Sequence, residues 1–482
     1  MSSASPAVPP ARRGLRDLRA LEAQRLIDGL ALRLSPAVAA GLIAYSHMGS
    51  VGDGLVVFAS MLATLQLIER SHLPLHLMPA SRIMLGLVGP VVGALIAWMV
   101  AGAAGDGYPP SQYVAIVLGA WLVMALGAWI KAWLMEGVRA RVVVVGSRDF
   151  AADLAAELAA NDVATYQVVG WLGHDGPAEY RRLRWFGGLD DVRSKVLSER
   201  LDLLVCAPSA TDSESNSLED VCARVADQCV DLPVRMIAAN QLYEETLGHV
   251  PLGTIDAAWY RYIMHPNFRA APPLSKRLFD LVVGAAIALV WLPVLALAAL
   301  AVKLGDRGPV FYRQRRLGEH GQAFDMIKLR TMRIDAEPEG PRWAEAGDAR
   351  VTRIGRLLRR THVDEIPQLW NVLRGEMTLV GPRPERPEIV AELEHKFPHY
   401  TRRQLVKPGI AGWAALRCGY AGSELGAAWK LCHDLFYVKR RSLLADTLIL
   451  AETVVEVFRD AHRALRAPGE RFLIGEEPNP HG

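Results

Sequence analysis

Residues 281–302 read LVVGAAIALVWLPVLALAALAV, a run with no charged side chain at any position. Its length suits a helix crossing a bilayer, which needs about 20 apolar residues. Pro293 falls mid-run, where it removes a backbone hydrogen bond and kinks or breaks a helix. Two arrangements satisfy these facts. A straight span would put the polar segments before and after it on opposite sides of the membrane. A helix–break–helix hairpin that enters and leaves one leaflet would keep both on one side. Lys276, Arg277, Lys303 and Arg307 flank both ends of the run and fit either same-side anchoring or interfacial snorkelling.

Four more apolar stretches come first, at roughly 30–48, 52–69, 83–104 and 112–134. Hydrophobic residues make up 51% of the chain and mean hydropathy is +0.15, both high for a soluble protein. Four such runs in succession therefore read as transmembrane helices rather than as a buried bundle. Arg12, Arg13, Arg16 and Arg19 precede them, Arg70 and Arg82 lie between the second and third, and Lys131, Arg139 and Arg141 end the fourth. The 105–111 loop carries only Asp106. Cationic loops mark the cytoplasmic side. The segment 1–29 and everything after the helical domain 30–135 are thus expected in the cytoplasm. The polar start lacks a clear cleavage site, so no signal peptide is read. Net charge is only +3 and the basic charge is local, which gives no general attraction to nucleic acid. The five cysteines (Cys206, Cys222, Cys229, Cys418 and Cys432) form no CxxC pair and read as reduced thiols.

Residues 136–265 change character. RVVVVGS ends in Gly146 and leads into an Ala-rich helical pattern at 150–160. YQVVGWL, a helix near 190–200 and LDLLVCAPS follow. Strands alternating with helices predict a doubly wound α/β domain. GSRDFA keeps only the first glycine of a dinucleotide fingerprint and there is no Tyr-x-x-x-Lys pair, so a regulatory or assembly role is expected in place of NAD chemistry. Asp202 begins a strand and has no evident catalytic partner.

The densest chemistry is RVTRIGRLLRRTHVDEIPQLWNVLRGEMTLVGPRPER, Arg350 to Arg386, in which eight arginines surround Asp364-Glu365. Guanidinium forks suit phosphate oxygens. Carboxylates in such company hold a metal or attack something. Ile366 to Leu373 reads as helical with Pro367 in its first turn, which puts Asp364 at or near the N-cap. There it could attack phosphorus or ligate Mg²⁺; as plain structure it would be a helix cap, with Thr361-x-x-Asp364 a loose capping box. Glu365 points about 100° away around a helix, so the two differ in role. Arg353, Arg356 and Arg359 recur on one helical face, suited to pyrophosphate or to anionic headgroups. Val380 to Pro384 makes a rigid turn that presents Arg383.

These residues bring a family into view. KRLFD (276–280), GPVFYRQRRLG (308–318), KLRTM (328–332), TRIGRLLRRTHVDEIPQLWNVLRGEMTLVGPRP (352–384), VKPGIAGWA (406–414) and KLCHDLFYVKRRSLLADTLIL (430–450) occur in order. The segment 276–450 resembles the bacterial sugar transferases, the monotopic polyprenyl-phosphate glycosyl-1-phosphate transferases. The N-terminal arrangement resembles their long subgroup.

The resemblance implies an α/β membrane protein of the bacterial inner membrane. It would have four N-terminal transmembrane helices, a Rossmann-like cytoplasmic domain, a re-entrant membrane helix (276–303), a mainly helical catalytic domain (304–462) and a loose tail (463–482). It implies transfer of a hexose-1-phosphate from a UDP-sugar to undecaprenyl phosphate with release of UMP, initiating exopolysaccharide, capsule or O-antigen assembly. UDP-glucose is the favoured donor, and a homodimer through the Rossmann-like domain is a further expectation. By resemblance Asp364 is the nucleophile that carries the phospho-sugar, Glu365 completes the dyad, and Mg²⁺ sits with both. Lys328, Arg330, Arg359 and Arg383 become the phosphate-binding candidates. Asp434 and Tyr437 are expected to line the nucleotide or acceptor site, and Lys276, Arg277, Asp280 and Pro293 belong to the membrane hairpin. Three departures stand out: Leu292 before the breaking proline and His362 two before Asp364, where Ser is common in both places, and ALRCGY (415–420) after the tryptophan. The competing reading is a membrane-anchored nucleotide-binding scaffold or sensor without transferase activity.

Overall fold

The computed structural model describes residues 27–28, 30, 34–48, 51–69, 90–91, 94–100, 102, 109–135, 137–161, 163, 165–173, 178–207, 218–255, 257–264, 273–333, 350–397, 399–418 and 423–457. They fall into two compact units, Met1–Leu242 and Tyr243–Gly482.

In the first unit, α1 (Ser35–Met48) and α2 (Val51–Glu69) meet at Gly41 and Gly54. A Cβ on either glycine would lie 2.9 Å from the other's carbonyl oxygen. Ala37, Ala40, Ala44 and, on α3 (Pro110–Leu134), Ala120 fill the interior, while Leu42, Leu55, Leu122 and Trp129 face outward and are mostly exposed. Small residues inside and large apolar ones outside is how helices pack in lipid, where close backbone approach holds the bundle. Ser111–Leu134 is long and apolar enough to cross a membrane; the apolar parts of α1 and α2 are shorter. Of the third expected stretch, residues 94–100 are helical and 83–89 lie outside the described residues.

The same unit contains a six-stranded sheet of order β3-β4-β2-β1-β5-β6. β1 (Ala140–Val145), β2 (Tyr166–Leu172), β4 (Leu183–Trp185), β5 (Leu203–Cys206) and β6 (Arg235–Ala238) run parallel, and β3 (Glu179–Tyr180) is antiparallel to β4. Helices α4 (Arg148–Ala160), α5 (Val192–Ser198) and α6 (Leu218–Cys229) connect them. Val143, Val145, Leu172, Leu204 and Val225 form the core. Gly146 takes φ +127°, and a Cβ there would meet Ala207 O at 2.5 Å. The glycine thus serves a close strand-end approach. Asp202 accepts from Arg141 N at 2.8 Å, which pins the start of β1.

The second unit begins at Tyr243, inside α7 (Ala239–Thr246). Residues 243–264, ending in α8 (Ala257–Met264), bond within the second unit. Trp413 Nε1 donates to Gly248 O at 2.6 Å and Val250 N to Cys432 O at 3.1 Å. Buried Glu244 accepts from Lys439 at 2.5 Å and Arg440 at 2.8 Å.

The uncharged run forms α9 (Pro273–Asp306), one helix with Pro293 inside it. The expected break is not found: the assignment is α-helical on both sides of the proline. Both flanks of α9 touch the second unit. Near its start, a Cβ on Gly284 would meet Val372 and Leu379 side chains within 4 Å. Toward its end, Leu295, Ala298 and Val302 pack on Leu329, Leu358 and Val363. Between these flanks Leu289, Val290 and Leu292 are exposed.

Lys276 and Arg277 do not snorkel. Arg277 donates to Val372 O and Leu373 O, both at 2.6 Å, and so caps the C-terminal end of α11 (Leu369–Arg374). Asp280 accepts from Thr378 Oγ1 at 2.7 Å and Leu379 N at 3.1 Å on β9 (Thr378–Val380). Lys276 bridges Asp280 and Asp446, at 3.2 and 2.7 Å. Tyr437 Oη lies 2.7 Å from both Asp446 Oδ1 and Val380 O. These ions satisfy one another because a buried charge without a partner is costly. β9 pairs with β10 (Gly409–Ala411), and α12 (Pro387–Lys396), α13 (Trp413–Cys418), α14 (Glu424–Arg440) and α15 (Leu443–Val457) complete the unit.

Glu244→Ala would remove the buried carboxylate that Lys439 and Arg440 share. We expect a loss of about 3–5 kcal/mol, read as earlier proteolysis of the 243–457 region in a denaturant series on the full chain.

Candidate active site

An antiparallel hairpin, β7 (Phe311–Leu317) and β8 (Ala323–Leu329), forms one wall of a cleft of about 970 Å³. Strand alternation sends every second side chain to one face. Tyr312, Gln314, Arg316 and Lys328 face this cleft. The opposite wall comes from α10 (Arg353–Arg360) and the turn after it. Thr352 caps the start of α10 by accepting from Gly355 N at 2.8 Å. Thr361 closes its end by donating to Leu357 O at 2.9 Å, so it is not part of an N-terminal capping box. His362 then takes φ +54° and turns the chain into a 3₁₀ segment, Val363–Gln368, with α11 following. Asp364 is therefore the second residue of a tight turn, not the cap of an α-helix from 366.

The two carboxylates sit in opposite electrostatic settings. Glu365 Oε1 accepts from Lys328 Nζ at 2.9 Å, and its carboxylate receives both Arg383 Nη1, at 3.2 Å, and Arg383 Nη2. Burial opposes its ionisation, but Arg383 and Lys328 outweigh that and hold it well below the usual carboxylate range. Asp364 is 7% exposed, faces the cleft, and has no hydrogen bond or ion pair among the described residues. Burial raises its pKa, the charge on Glu365 adds to the rise, and Lys328, Arg359 and His362 oppose it.

The other sequence candidates divide. Arg330 is buried at the cleft wall, against Gly308, where a Cβ would meet its guanidinium at 2.0 Å. Arg359 reaches the cleft and donates from Nε to Thr331 Oγ1 at 2.9 Å. Arg353 and Arg356 are exposed on α10 and do not line it. Asp434 and Tyr437 do not line it either, contrary to expectation. Asp434 is buried behind the wall, 2.7 Å from Arg403 Nη2, and Arg403 donates to Arg383 O at 2.9 Å. Burial lifts Asp434 to about 6 against the pull of Arg403. Asp434 thus positions Arg383 at one remove, and Tyr437 belongs to the network around Asp280. From ALRCGY, Arg417 stacks 4.5 Å over Trp413 and Cys418 Sγ lies 3.3 Å from His433 Nδ1, both away from the cleft; residues 419–420 lie outside the described residues.

Sequence reading missed Arg316, Tyr400 and Lys430 as lining residues. Arg316 and Lys430 stand inside the quoted motifs, but nothing local marks which residues of GPVFYRQRRLG or KLCHDLF turn toward Asp364. Two adjacent carboxylates on one cleft wall suit Mg²⁺, which takes one or two carboxylates along with substrate phosphates and water. Among the described residues no cluster of three or more His, Cys, Asp or Glu offers a full protein cage.

Raising a carboxyl's pKa in the fold costs stability once it ionises: the contribution of Asp364 is greatest below its unfolded value and declines as pH rises through the folded one. Glu365 runs the other way, its contribution being present above the unfolded value and lost as pH falls through the folded one. At neutral pH Asp364→Asn should raise the thermal midpoint. Glu365→Gln should lower stability by about 2 kcal/mol. Thermal unfolding of the detergent-solubilised variants distinguishes the two signs.

Comparison with known proteins follows the same residues. Residues 272–460 match the family model described as bacterial sugar transferase. A UDP-glucose:undecaprenyl-phosphate glucose-1-phosphate transferase of Caulobacter vibrioides is 40% identical over 191 residues, 39% of this chain and 72% of that protein. An undecaprenyl-phosphate glucose phosphotransferase of Komagataeibacter xylinus is 32% identical over 323 residues, 65% of this chain and 58% of that one. A UDP-N-acetylgalactosamine-undecaprenyl-phosphate N-acetylgalactosaminephosphotransferase of Aeromonas hydrophila is 38% identical over 179 residues, 37% of this chain and 42% of that protein. The chain thus spans between 42% and 72% of the length of these three relatives.

Proposed function

Because the chain belongs to the bacterial sugar transferase family, we propose that it transfers a hexose-1-phosphate from a UDP-sugar to undecaprenyl phosphate and releases UMP. The observation that carries this reading is the contrast within the dyad. Glu365 is paired with Lys328 and Arg383, whereas Asp364 beside it lines the cleft with no hydrogen bond or ion pair among the described residues.

An Asp364 oxygen attacks the sugar-bearing phosphorus of the donor. The bond from that phosphorus to the bridging oxygen breaks, and UMP leaves with the electron pair. A phosphate oxygen of the lipid then attacks the same phosphorus, the bond to Asp364 breaks, and the carboxylate is restored. Splitting the transfer lets two bulky phosphates use one site in turn. Lys328, Arg330, Arg359 and Arg383 orient the diphosphate and offset its charge. Glu365 keeps Lys328 and Arg383 in place. Mg²⁺, held by oxygens of Asp364 and Glu365 together with substrate phosphates, would neutralise further diphosphate charge. Glucose is the favoured sugar, as in the names of two of the three relatives, and the product would initiate exopolysaccharide, capsule or O-antigen assembly.

Inner-membrane location follows from the same reading. α9 touches the second unit at Gly284 and again from Leu295. Eleven residues of helix cover about 16 Å, half of a hydrocarbon core of about 30 Å. A perpendicular span cannot separate two contacts so close, which favours a helix with both ends on one face; α9 runs unbroken through Pro293, so the return would take a bend at that proline. The N-terminal helices supply the multi-pass anchor.

With UDP-glucose labelled in the β-phosphate and no acceptor, the wild-type chain should gain hydroxylamine-labile label and release UMP. Asp364→Asn should lose both, by on the order of 10³-fold or more. Full UMP release by that variant would refute the nucleophile assignment. No release by the wild type with any UDP-sugar would leave the scaffold reading. The rate of the first half-reaction should rise with pH through a value above the ordinary carboxylate range, as Asp364 ionises, and then level off.

A further inference from the structure

The β7–β8 hairpin has a second face. Arg313 and Arg315, at the positions alternating with Tyr312, Gln314 and Arg316, line a separate cleft of about 660 Å³. Arg374, the last residue of α11, and Lys407 complete its cationic wall. None of these four cations has an ion pair among the described residues. Three carboxylates also line the cleft, Glu319, Asp325 and Glu376, and Glu376 is engaged by Asn371 Nδ2 at 2.7 Å. Asp325 stands opposite Arg315 in the hairpin register, and the four cations still outnumber the three carboxylates without forming an ion pair among the described residues.

The setting indicates what kind of anion fits. Trp370, in the same wall, is 54% exposed, and the Arg374 guanidinium lies 5.4 Å from its ring centroid. An exposed indole beside a cation suits the boundary between membrane and water. Arg277, four residues before the uncharged run, caps α11 directly behind this wall. A Cβ on Gly375, another lining residue, would meet that guanidinium at 3.5 Å. The cleft thus opens beside the point where α9 leaves polar surroundings for its apolar run.

We propose that this cleft binds the phosphate-bearing headgroup of an anionic phospholipid from the membrane that holds α9. Guanidinium forks match phosphate oxygens, and each cation near an anionic surface strengthens binding by about fivefold. The site is distinct from the cleft that holds Asp364 and does not depend on the transferase reading.

The test uses the full chain in phosphatidylcholine nanodiscs doped with a photoactivatable phosphatidylglycerol, followed by peptide mapping. Label is expected on the peptides holding Arg313–Arg315 and Trp370–Arg374. It should fall about 25-fold in an Arg313→Ser/Arg315→Ser double variant and about fivefold in Arg374→Gln, with size-exclusion profile and thermal midpoint unchanged. If the double variant misfolds, Arg374→Gln decides alone. Excess inorganic phosphate should leave labelling intact. Displacement by inorganic phosphate, equal labelling by a phosphatidylcholine probe, or wild-type labelling of the variants would overturn the proposal.

Discussion

Glu365 ties together three segments that are distant in sequence: the β7–β8 hairpin through Lys328, the 3₁₀ turn that carries it, and the GPRP turn through Arg383. A carboxylate taken out of water must be matched by cations or it neutralises. Lys328 and Arg383 bond to Glu365, and burial together with the Glu365 charge outweighs the pull of Lys328 on the neighbouring Asp364. One residue of the pair therefore organises charge, and the other lines the cleft without a hydrogen bond or ion pair among the described residues. Behind Arg383 the same logic repeats, with Arg403 holding its carbonyl and Asp434 holding Arg403.

The membrane helix depends on a second set of buried ions. Asp280, Lys276, Asp446 and Tyr437 lock the start of α9 to β9, α14 and α15, while Arg277 caps α11. α11 follows the turn that carries Asp364, so the attachment of the uncharged helix and the position of Asp364 share one short piece of chain. The hairpin in front of it presents cations on both faces because side chains alternate along a strand. One face serves the cleft of the dyad, and the other opens beside α9.

Much of this was legible locally. The uncharged run, the apolar N-terminal stretches, the β-branched strands of the α/β sheet and the arginine-ringed carboxylate pair all declare themselves through composition or period. What the local pattern did not show is which side chains meet across the fold. Nothing beside Asp434 marks its bond to Arg403, and nothing beside Lys276 marks its bridge to Asp446. Those partners lie far away in sequence, as do Glu244 and Lys439 or Asp280 and Thr378.

By itself the sequence determined which segments are apolar, which alternate as strand and helix, and where carboxylates meet arginines, since those depend on neighbours within a turn or a strand. Only the tertiary structure decided that Glu365 is neutralised while Asp364 is not, and that both flanks of the uncharged helix meet one unit. Ion pairing and desolvation depend on what lies within a few ångströms in space, and the order of residues along the chain does not specify that.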